Sequence, residues 1–555
     1  MPSIEVSYKD LCSLIGKKIS LEELRDAVLY AKGEIERISK DLIKIDIKDS
    51  NRPDLWSAEG IAREISGRIK KAGLPRYEVK KSKVLVEVDK RVSKIRPLTV
   101  CAVVRRLKIN KAVLSQIIQL QEKVCNTFGR NRREVALGVY DLSKIKPPIR
   151  YTTVKPDGIK FVPLDFKERL TPREVLEKHP KGKEFGHLLK GFPEYPMFID
   201  SANEVLSIPP IINSEYSGKV TEKTKEVFIE CSGFNFKFLI PALNVMACAL
   251  ADRKGRIESV KVVYPDKVIF TPDLKPKKTF VEIDYVNRIS GLRLSGKEIC
   301  DLLEKARYEA KLKGRRIQLL YPAYRQDIMH ARDIVEDAII SYGYNKIKPL
   351  APRLPTIGGS SKIEVFSNSV AEVMIGLGLQ EIISYNLTNK ENLFKKMNLR
   401  EEDVVEIENP VSANWDVLRS WLLPSVIEFL SNNKHVDYPQ KVFEIGDAVV
   451  VDETRETKTR DERKLACVIA DNKASYESIS SLLDSLLTNL GVKYKLKAVE
   501  HPSFIPGRTA EVIVNNREIG IIGEIHPSVI DNWKLEVPLA GFEIDVELLS
   551  SHPRD

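Results

Sequence analysis

Apolar positions along the chain alternate between two periods. Leu21, Leu24 and Val28 recur at helical spacing behind Ser20 and Glu23, and the pattern predicts a helix over 21–31 opened by a capping box. The stretch 42–48 alternates apolar and polar residues and predicts a strand. Segments 83–89, 98–109 and 227–229 also read as strands, and 113–128 as an amphipathic helix. The run 238–251 is apolar but carries Pro241 and Asn244, so it predicts a buried helix rather than a membrane span. Further on, Phe366, Val370, Met374 and Leu377 share one helical face, which predicts packing against another subunit, and 381–387 predicts a strand. Helix and strand mix throughout, so the fold class is α+β and multidomain.

Three Pro-, Gly- or Lys-rich stretches read as joints: 70–83, 264–278 and 350–362. They divide the chain into pieces 1–80, 81–268, 269–350 and 355–555, each of domain size. The piece 269–350 is predicted to form a helix-turn-helix-like unit.

Composition narrows the function. The 555 residues are 43% hydrophobic and 30% charged, which suits several soluble domains. No apolar run reaches the roughly 18 residues of a membrane span, and the first ten residues lack a signal-peptide pattern, so an intracellular, cytoplasmic protein with no membrane partner is expected. Seven scattered cysteines without a C-x-x-C pair, and seven dispersed histidines, argue against a disulfide framework or a His/Cys metal enzyme. The net charge of +11 suits a polyanion such as nucleic acid.

Four motifs carry candidate chemistry. The octapeptide GLRLSGKE (291–298) resembles a phosphate loop, but Glu298 stands where a hydroxyl is needed; Ser295 and Glu298 predict a capping box instead. In YRQDIMHARDIVEDAIISYGYNKI (324–347), Asp333, Glu336 and Asp337 fall on one helical face with Asp327 upstream, opposite a partly buried face of Ile334, Val335, Ala338 and Ile339. Acids in the first helical turns favoured by the helix dipole, and an oxygen-ligated magnesium ion, are both open readings. In YPMFIDSANEVLSIPPIINSEYSG (195–218), Asn213, Ser214 and Glu215 follow Pro209 and Pro210, with Glu230 and Ser232 beyond; the group can line a pocket or form an ordinary polar loop, and no nucleophilic triad is present. Arg130, Arg132 and Arg133, and Lys313, Arg315 and Arg316, can meet phosphate or water.

In order and content these segments resemble the beta subunit of phenylalanyl-tRNA synthetase in its archaeal and eukaryotic-cytosolic form. NRPDLWSAEGIAREISG (51–67) is similar to that family's N-terminal signature. GRNRREVALGVYDLSKI (129–145) and IPPIINSEYSGKV (208–220) are similar to its editing domain. PAYRQDIMHARDIVEDAIISYGYNKI (322–347) is similar to the motif closing the domain that follows. LRSWLLPSVIEFLSNN (418–433), VFEIGD (442–447), HPSFIPGRTAEV (501–512) and GEIHPSVIDNW (523–533) are similar to its C-terminal, catalytic-like domain. No stretch matches the C-terminal anticodon-binding domain or the inserted N-terminal barrel of bacterial beta subunits.

The resemblance implies an editing domain over 81–268, a winged-helix-like domain over 269–350, and a class II synthetase-like, antiparallel but non-catalytic domain over 355–555, where Arg419 is an isolated basic residue. It implies partnership with an alpha subunit, two of each, with tRNA(Phe), and with ATP as a substrate of the alpha subunit's synthetic site. It implies magnesium at Asp327, Asp333, Glu336 and Asp337. It also implies hydrolysis of tyrosine wrongly attached to the tRNA, in a pocket of Ser207, Asn213, Glu215, Glu230 and Ser232, with Glu215 or Ser207 meeting the tyrosine hydroxyl and the tRNA's terminal hydroxyl helping the attacking water. Glu230 and Ser232 depart from the Asp and Thr of the family pattern. A free-standing tRNA deacylase and a non-catalytic nucleic-acid-binding scaffold are the alternatives.

Overall fold

A computed structural model describes residues 2–70 and 73–550 and divides the chain into two units, 1–350 and 351–555. The first unit opens with a small sheet of β1 (Ser3–Ser7), β2 (Gly33–Ser39) and β3 (Leu42–Ile47), in the order β1-β3-β2. Helices α1 (Tyr8–Ile15), α2 (Leu21–Leu29) and α3 (Ala58–Lys70) accompany it. Ser20 and Glu23 form the reciprocal capping box that starts α2.

A ten-stranded sheet follows. Its strands are β4 (Val79–Val88), β5 (Leu98–Arg105), β6 (Val135–Asp141), β7 (Ile149–Val154), β8 (Tyr195–Ile199), β9 (Val205–Ile208), β10 (Ile212–Asn213), β11 (Glu226–Gly233), β12 (Arg256–Val263) and β13 (Val268–Thr271). The order is β10-β9-β8-β7-β4-β12-β5-β11-β6, with β13 on β12, so β6 and β10 are its two free ends. Helices α4 (Lys111–Lys123) and α5 (Phe236–Asp252) bury their apolar faces in the core around Val104, Leu137 and Ile229.

The third piece has a three-stranded sheet, β14 (Lys277–Glu282), β15 (Glu309–Lys313) and β16 (Arg316–Tyr321), with helices α6 (Ile283–Ser290), α7 (Gly296–Lys305) and α8 (Ala331–Tyr342). Ser295 and Glu298 cap α7 as the spacing predicts, so GLRLSGKE is a helix start.

The unit 351–555 is built on a seven-stranded sheet whose long central strands, Gln440–Val451, Thr459–Ala470, Leu539–Asp545, Arg517–Ile525 and Phe504–Val514, are antiparallel. The predicted strand over 381–387 is broken: only Gln380–Glu381 pairs with this sheet and Leu387–Thr388 pairs elsewhere. Between them Ile382 and Ser384 face inward while Ile383 and Tyr385 stand exposed; Ile382 N–H still reaches the Phe443 carbonyl (2.9 Å), but among the described residues no continuous ladder follows it. The face of Phe366, Val370, Met374 and Leu377 is turned to this unit's own core, not left free for a partner.

Candidate functional site

The free ends of the large sheet come together without pairing. No backbone hydrogen bond among the described residues joins β6 to β9 or β10; two side chains cross instead. Tyr140, on β6 and fully buried, places its hydroxyl 2.8 Å from Ser207 Oγ on β9, 3.2 Å from Asn213 Oδ1 on β10 and 3.0 Å from Glu230 Oε1 on β11. Its ring tilts against Phe228, its register partner, at 5.9 Å. Gly138, two residues earlier on the same face, makes room: a Cβ there would lie 2.3 Å from the Tyr140 hydroxyl oxygen.

Arg132 makes the second crossing. It leaves a turn in which Arg130, Asn131 and Arg132 all have positive φ (50°, 52° and 66°), backbone strain that non-glycine residues hold only where the surroundings fix it. Its guanidinium donates to the carbonyls of Pro210 (3.2 Å) and Ile211 (2.7 Å) and to Glu122 (3.0 Å), and lies 4.2 Å above the Phe185 ring. The basic residue offered by the sequence as a phosphate contact is therefore an interior strut.

Between these crossings lies a cavity of about 380 Å³, a volume suited to an amino-acid side chain. Its apolar lining includes Leu114 and Ile117 of α4 with Leu137 and Val139 of β6; its polar lining includes Ser207, Asn213 and Glu230 together with Glu122, Arg132, Asp165, His179, Lys181 and Lys219. Burial pushes the Glu230 carboxyl up to about 8, against the opposing pull of the Tyr140 hydrogen bond and the Arg96 guanidinium. Glu230 therefore keeps its proton at neutral pH, and its Oε2 has no hydrogen-bond partner. Cys125 also lines the cavity, but burial raises its thiol to about 11, so it offers no thiolate.

The five residues expected to form the pocket are thus divided. Ser207, Asn213 and Glu230 meet around Tyr140. Ser232 shares Glu230's face of β11, yet its hydroxyl accepts from Arg96 Nε (3.1 Å) beneath the cavity and does not line it. Glu215 begins the helical turn Glu215–Gly218; its carboxylate accepts from the Asp165 backbone N–H (2.9 Å) and from Lys219, two residues that line the cavity although Glu215 itself does not. Burial opposes its ionisation, but these donors hold its carboxyl below the usual range.

The acidic motif is divided as well. Asp337 does not share an exposed face with Asp333 and Glu336; it joins the buried face of α8 with Ile334, Val335 and Ala338. Arg325 donates to both oxygens of Asp327 (2.8 and 2.6 Å) and to Asp337 (2.8 Å), which also accepts from Tyr308 (2.7 Å). Arg52, fully inside, lies 3.8 Å from Asp327 and pairs with Asp54 and Glu64. Burial works to raise the Asp327 carboxyl, yet Arg325 and Arg52 prevail and hold it at about 2; Asp337 is lowered for the same reasons. Asp333 turns back to accept from the N–H groups of Met329 (2.8 Å) and His330 (2.6 Å), capping α8. Glu336 accepts from Lys32 (2.9 Å), which also holds Asp49 (2.6 Å).

Three family models match successive parts of the chain. Residues 83–240 match the B3/4 domain, 279–344 the tRNA synthetase B5 domain, and 347–546 the phenylalanyl tRNA synthetase beta chain CLM domain. A phenylalanine--tRNA ligase beta subunit of Pyrococcus abyssi is 53% identical, over 98% of this chain and 99% of its own length. That of Methanocaldococcus jannaschii is 39% identical over 99% and 100%. The chain belongs to the phenylalanine--tRNA ligase beta subunit family. The crystal structure of an N-terminal fragment of the Pyrococcus horikoshii phenylalanyl-tRNA synthetase beta subunit is similar too, with a TM-score of 0.61 and 53% identity, covering 62% of this chain and all of the fragment.

Within this beta-subunit family member, the cavity borders fall largely in the part matched as B3/4 and the arginine–carboxylate network reaches from the N-terminal piece into B5. The four acids do not fit one magnesium shell. Three are already paired with a cation of the chain and the fourth caps its helix, whereas magnesium takes oxygen ligands directed to one point at about 2.0–2.1 Å. Among the described residues no group of three or more His, Cys, Asp or Glu side chains is arranged to hold a metal. In the part matched as CLM, Arg419 is fully buried and donates to Glu444 (2.7 Å), Ser384 (2.7 Å) and the Asp447 carbonyl (2.9 Å), so it is committed to the interior rather than to a phosphate. None of the described helices is long and apolar enough to cross a membrane.

Proposed function

We propose that this cytoplasmic beta subunit works in an assembly of two alpha and two beta subunits that attaches L-phenylalanine to tRNA(Phe) at the expense of ATP, and that its own chemistry is to hydrolyse tyrosine wrongly attached to that tRNA. ATP, with the magnesium that accompanies its phosphates, belongs to a synthetic site on the alpha subunit. Asp327, Asp333, Glu336 and Asp337 serve the architecture of this chain. The observation that carries the editing reading is the cavity, whose lining combines apolar side chains suited to an aromatic ring with Ser207, Asn213 and Glu230.

The physical need is clear. An apolar phenylalanine site rejects a ring bearing one extra hydroxyl only weakly, whereas a site whose polar groups require that hydroxyl discriminates strongly in the opposite sense. A buried hydrogen-bonding group left unpaired by phenylalanine costs about 1–3 kcal/mol. Water adds to the ester carbonyl carbon, the ester C–O bond breaks, and the tRNA ribose oxygen leaves with a proton, giving free tyrosine and uncharged tRNA. Ser207 has Tyr140 rather than a base beside it, so water and not a side chain is the nucleophile, with the tRNA's terminal hydroxyl helping to place it. Release of tyrosine from pre-charged tRNA(Phe) tests this reading. The whole assembly should release it, and Ser207→Ala should slow release while phenylalanine charging continues; equal release by the two would refute it.

A further inference from the structure

We infer that Tyr140 is a positioning residue for the cavity's selectivity: its hydroxyl orients the Asn213 amide and keeps Ser207 and Glu230 in register across a seam that no backbone pairing closes. The inference rests on the editing reading above and adds to it a residue that does not itself touch the substrate.

Three observations converge. First, one hydroxyl meets three polar side chains from three strands, each within 3.2 Å, and among the described residues no other side chain spans β6, β9, β10 and β11 in this way. Second, the site is shaped to hold that hydroxyl. Gly138 leaves the space above β6, Phe228 fixes the ring, and Gly218 fits beneath Asn213, whose Cβ would lie 2.3 Å from any Cβ placed there. Third, the proton count ties the three partners to this one hydroxyl. A phenol has a single proton to give, so its three partners cannot all be acceptors. The Ser207 hydroxyl can donate to the phenol oxygen as well as accept from it, which leaves the phenol proton for Asn213 Oδ1 or Glu230 Oε1.

The consequence lies with Asn213. With Oδ1 held by Tyr140, its NH2 is directed away from the phenol, as a donor for a bound aminoacyl group. Without the phenol the amide can turn over and present either atom. The seam would still be held by Arg132, so the cavity would persist while its selectivity fell.

The test compares four assemblies containing the alpha subunit: parent, Tyr140→Phe, Asn213→Ala and the double variant. Release of tyrosine and of phenylalanine from pre-charged tRNA(Phe) is measured as kcat/KM, beside phenylalanine charging. Tyr140→Phe keeps the ring and removes only the hydroxyl. It should lower the tyrosine-to-phenylalanine ratio about tenfold, the value of one hydrogen bond, with charging unchanged. The double variant should lose no more selectivity than Asn213→Ala alone, because both changes act through one amide. An unchanged ratio in Tyr140→Phe, additive losses in the double variant, or a parallel loss of charging and both releases would each overturn the positioning role. If the parent itself releases no tyrosine, the editing reading fails first, and that result is separate from the others.

Discussion

Glu230 and Asp337 are equally buried, each about 2% exposed, yet they occupy opposite electrostatic situations. Asp337 lies against Arg325 with Tyr308 as a second donor, and its carboxyl is held below the usual range. Glu230 has a phenol as its hydrogen-bond partner and one oxygen with none; Arg96 pulls on it, but spends its own donors on Ser232 and on the Arg132 and Arg133 carbonyls. Its carboxyl therefore rises to about 8. A buried acid joined to arginine is an architectural part: ionised and hard to remove. A buried acid beside a cavity and without a direct cation partner is a neutral donor, available to a ligand. The same residue class thus stays charged in one region and neutral in the other.

The largest effect should come from breaking the arginine network. Asp337→Asn leaves Arg325 undercompensated inside the protein and should destabilise the fold by about 3–5 kcal/mol, read by thermal or denaturant unfolding of the assembly. A cost below about 1 kcal/mol would show the network to be no more than a surface pair.

The next effect has the opposite sign. Below pH 4.5 Glu230 is protonated in both folded and unfolded chains and contributes nothing. As pH rises from 4.5 to about 8 the unfolded chain ionises while the folded one keeps its proton, so the parent loses stability relative to Glu230→Gln. The difference should reach about 4–5 kcal/mol and then level off. Asp327 runs the other way: its stabilisation is complete above pH 3.8 and disappears as pH falls through about 2. Unfolding measured against pH for the parent, Glu230→Gln and Asp327→Asn should give these two separate windows; a Glu230→Gln variant less stable than the parent at pH 8 would erase the distinction.

The smallest effect concerns Asp333 and Glu336. Asp333→Ala removes a cap from α8 and should cost about 1 kcal/mol. Calorimetric titration of the double Asp333→Ala, Glu336→Ala chain with magnesium should match the parent. Weaker binding in the variant would restore the acids as ligands.

The features visible in the sequence are those decided locally. Capping boxes at Ser20 and Ser295 need only residues three positions apart, and both form. The spacing of Asp333, Glu336 and Asp337 also places them together on a helix, but the boundary between solvent and core runs between them. That boundary is drawn by Arg325 and by Arg52, which is distant in sequence. Asn213 stood out behind a double proline with Glu230 further on, and Ser207 came only from the family resemblance; what assembles the three was not visible. Tyr140 belongs to an ordinary strand, VALGVYD, and its role depends on a sheet order that brings the two free ends together. Gly138 two residues before an aromatic was the available clue. Glu215 stands near Asn213 in sequence, but the sequence did not show that its carboxylate is taken by Asp165 and Lys219 at the cavity's border.

That last contrast supplies the most direct test of where the chemistry lies. Tyrosine release from pre-charged tRNA(Phe) should be measured for assemblies carrying the parent chain, Asn213→Ala and Glu215→Ala, beside phenylalanine charging. The cavity bounded by Ser207, Asn213 and Glu230 predicts that Asn213→Ala loses tyrosine release by about tenfold or more, while Glu215→Ala keeps it and both keep charging. Loss in Glu215→Ala with full release in Asn213→Ala would contradict the account and move the site out of the seam.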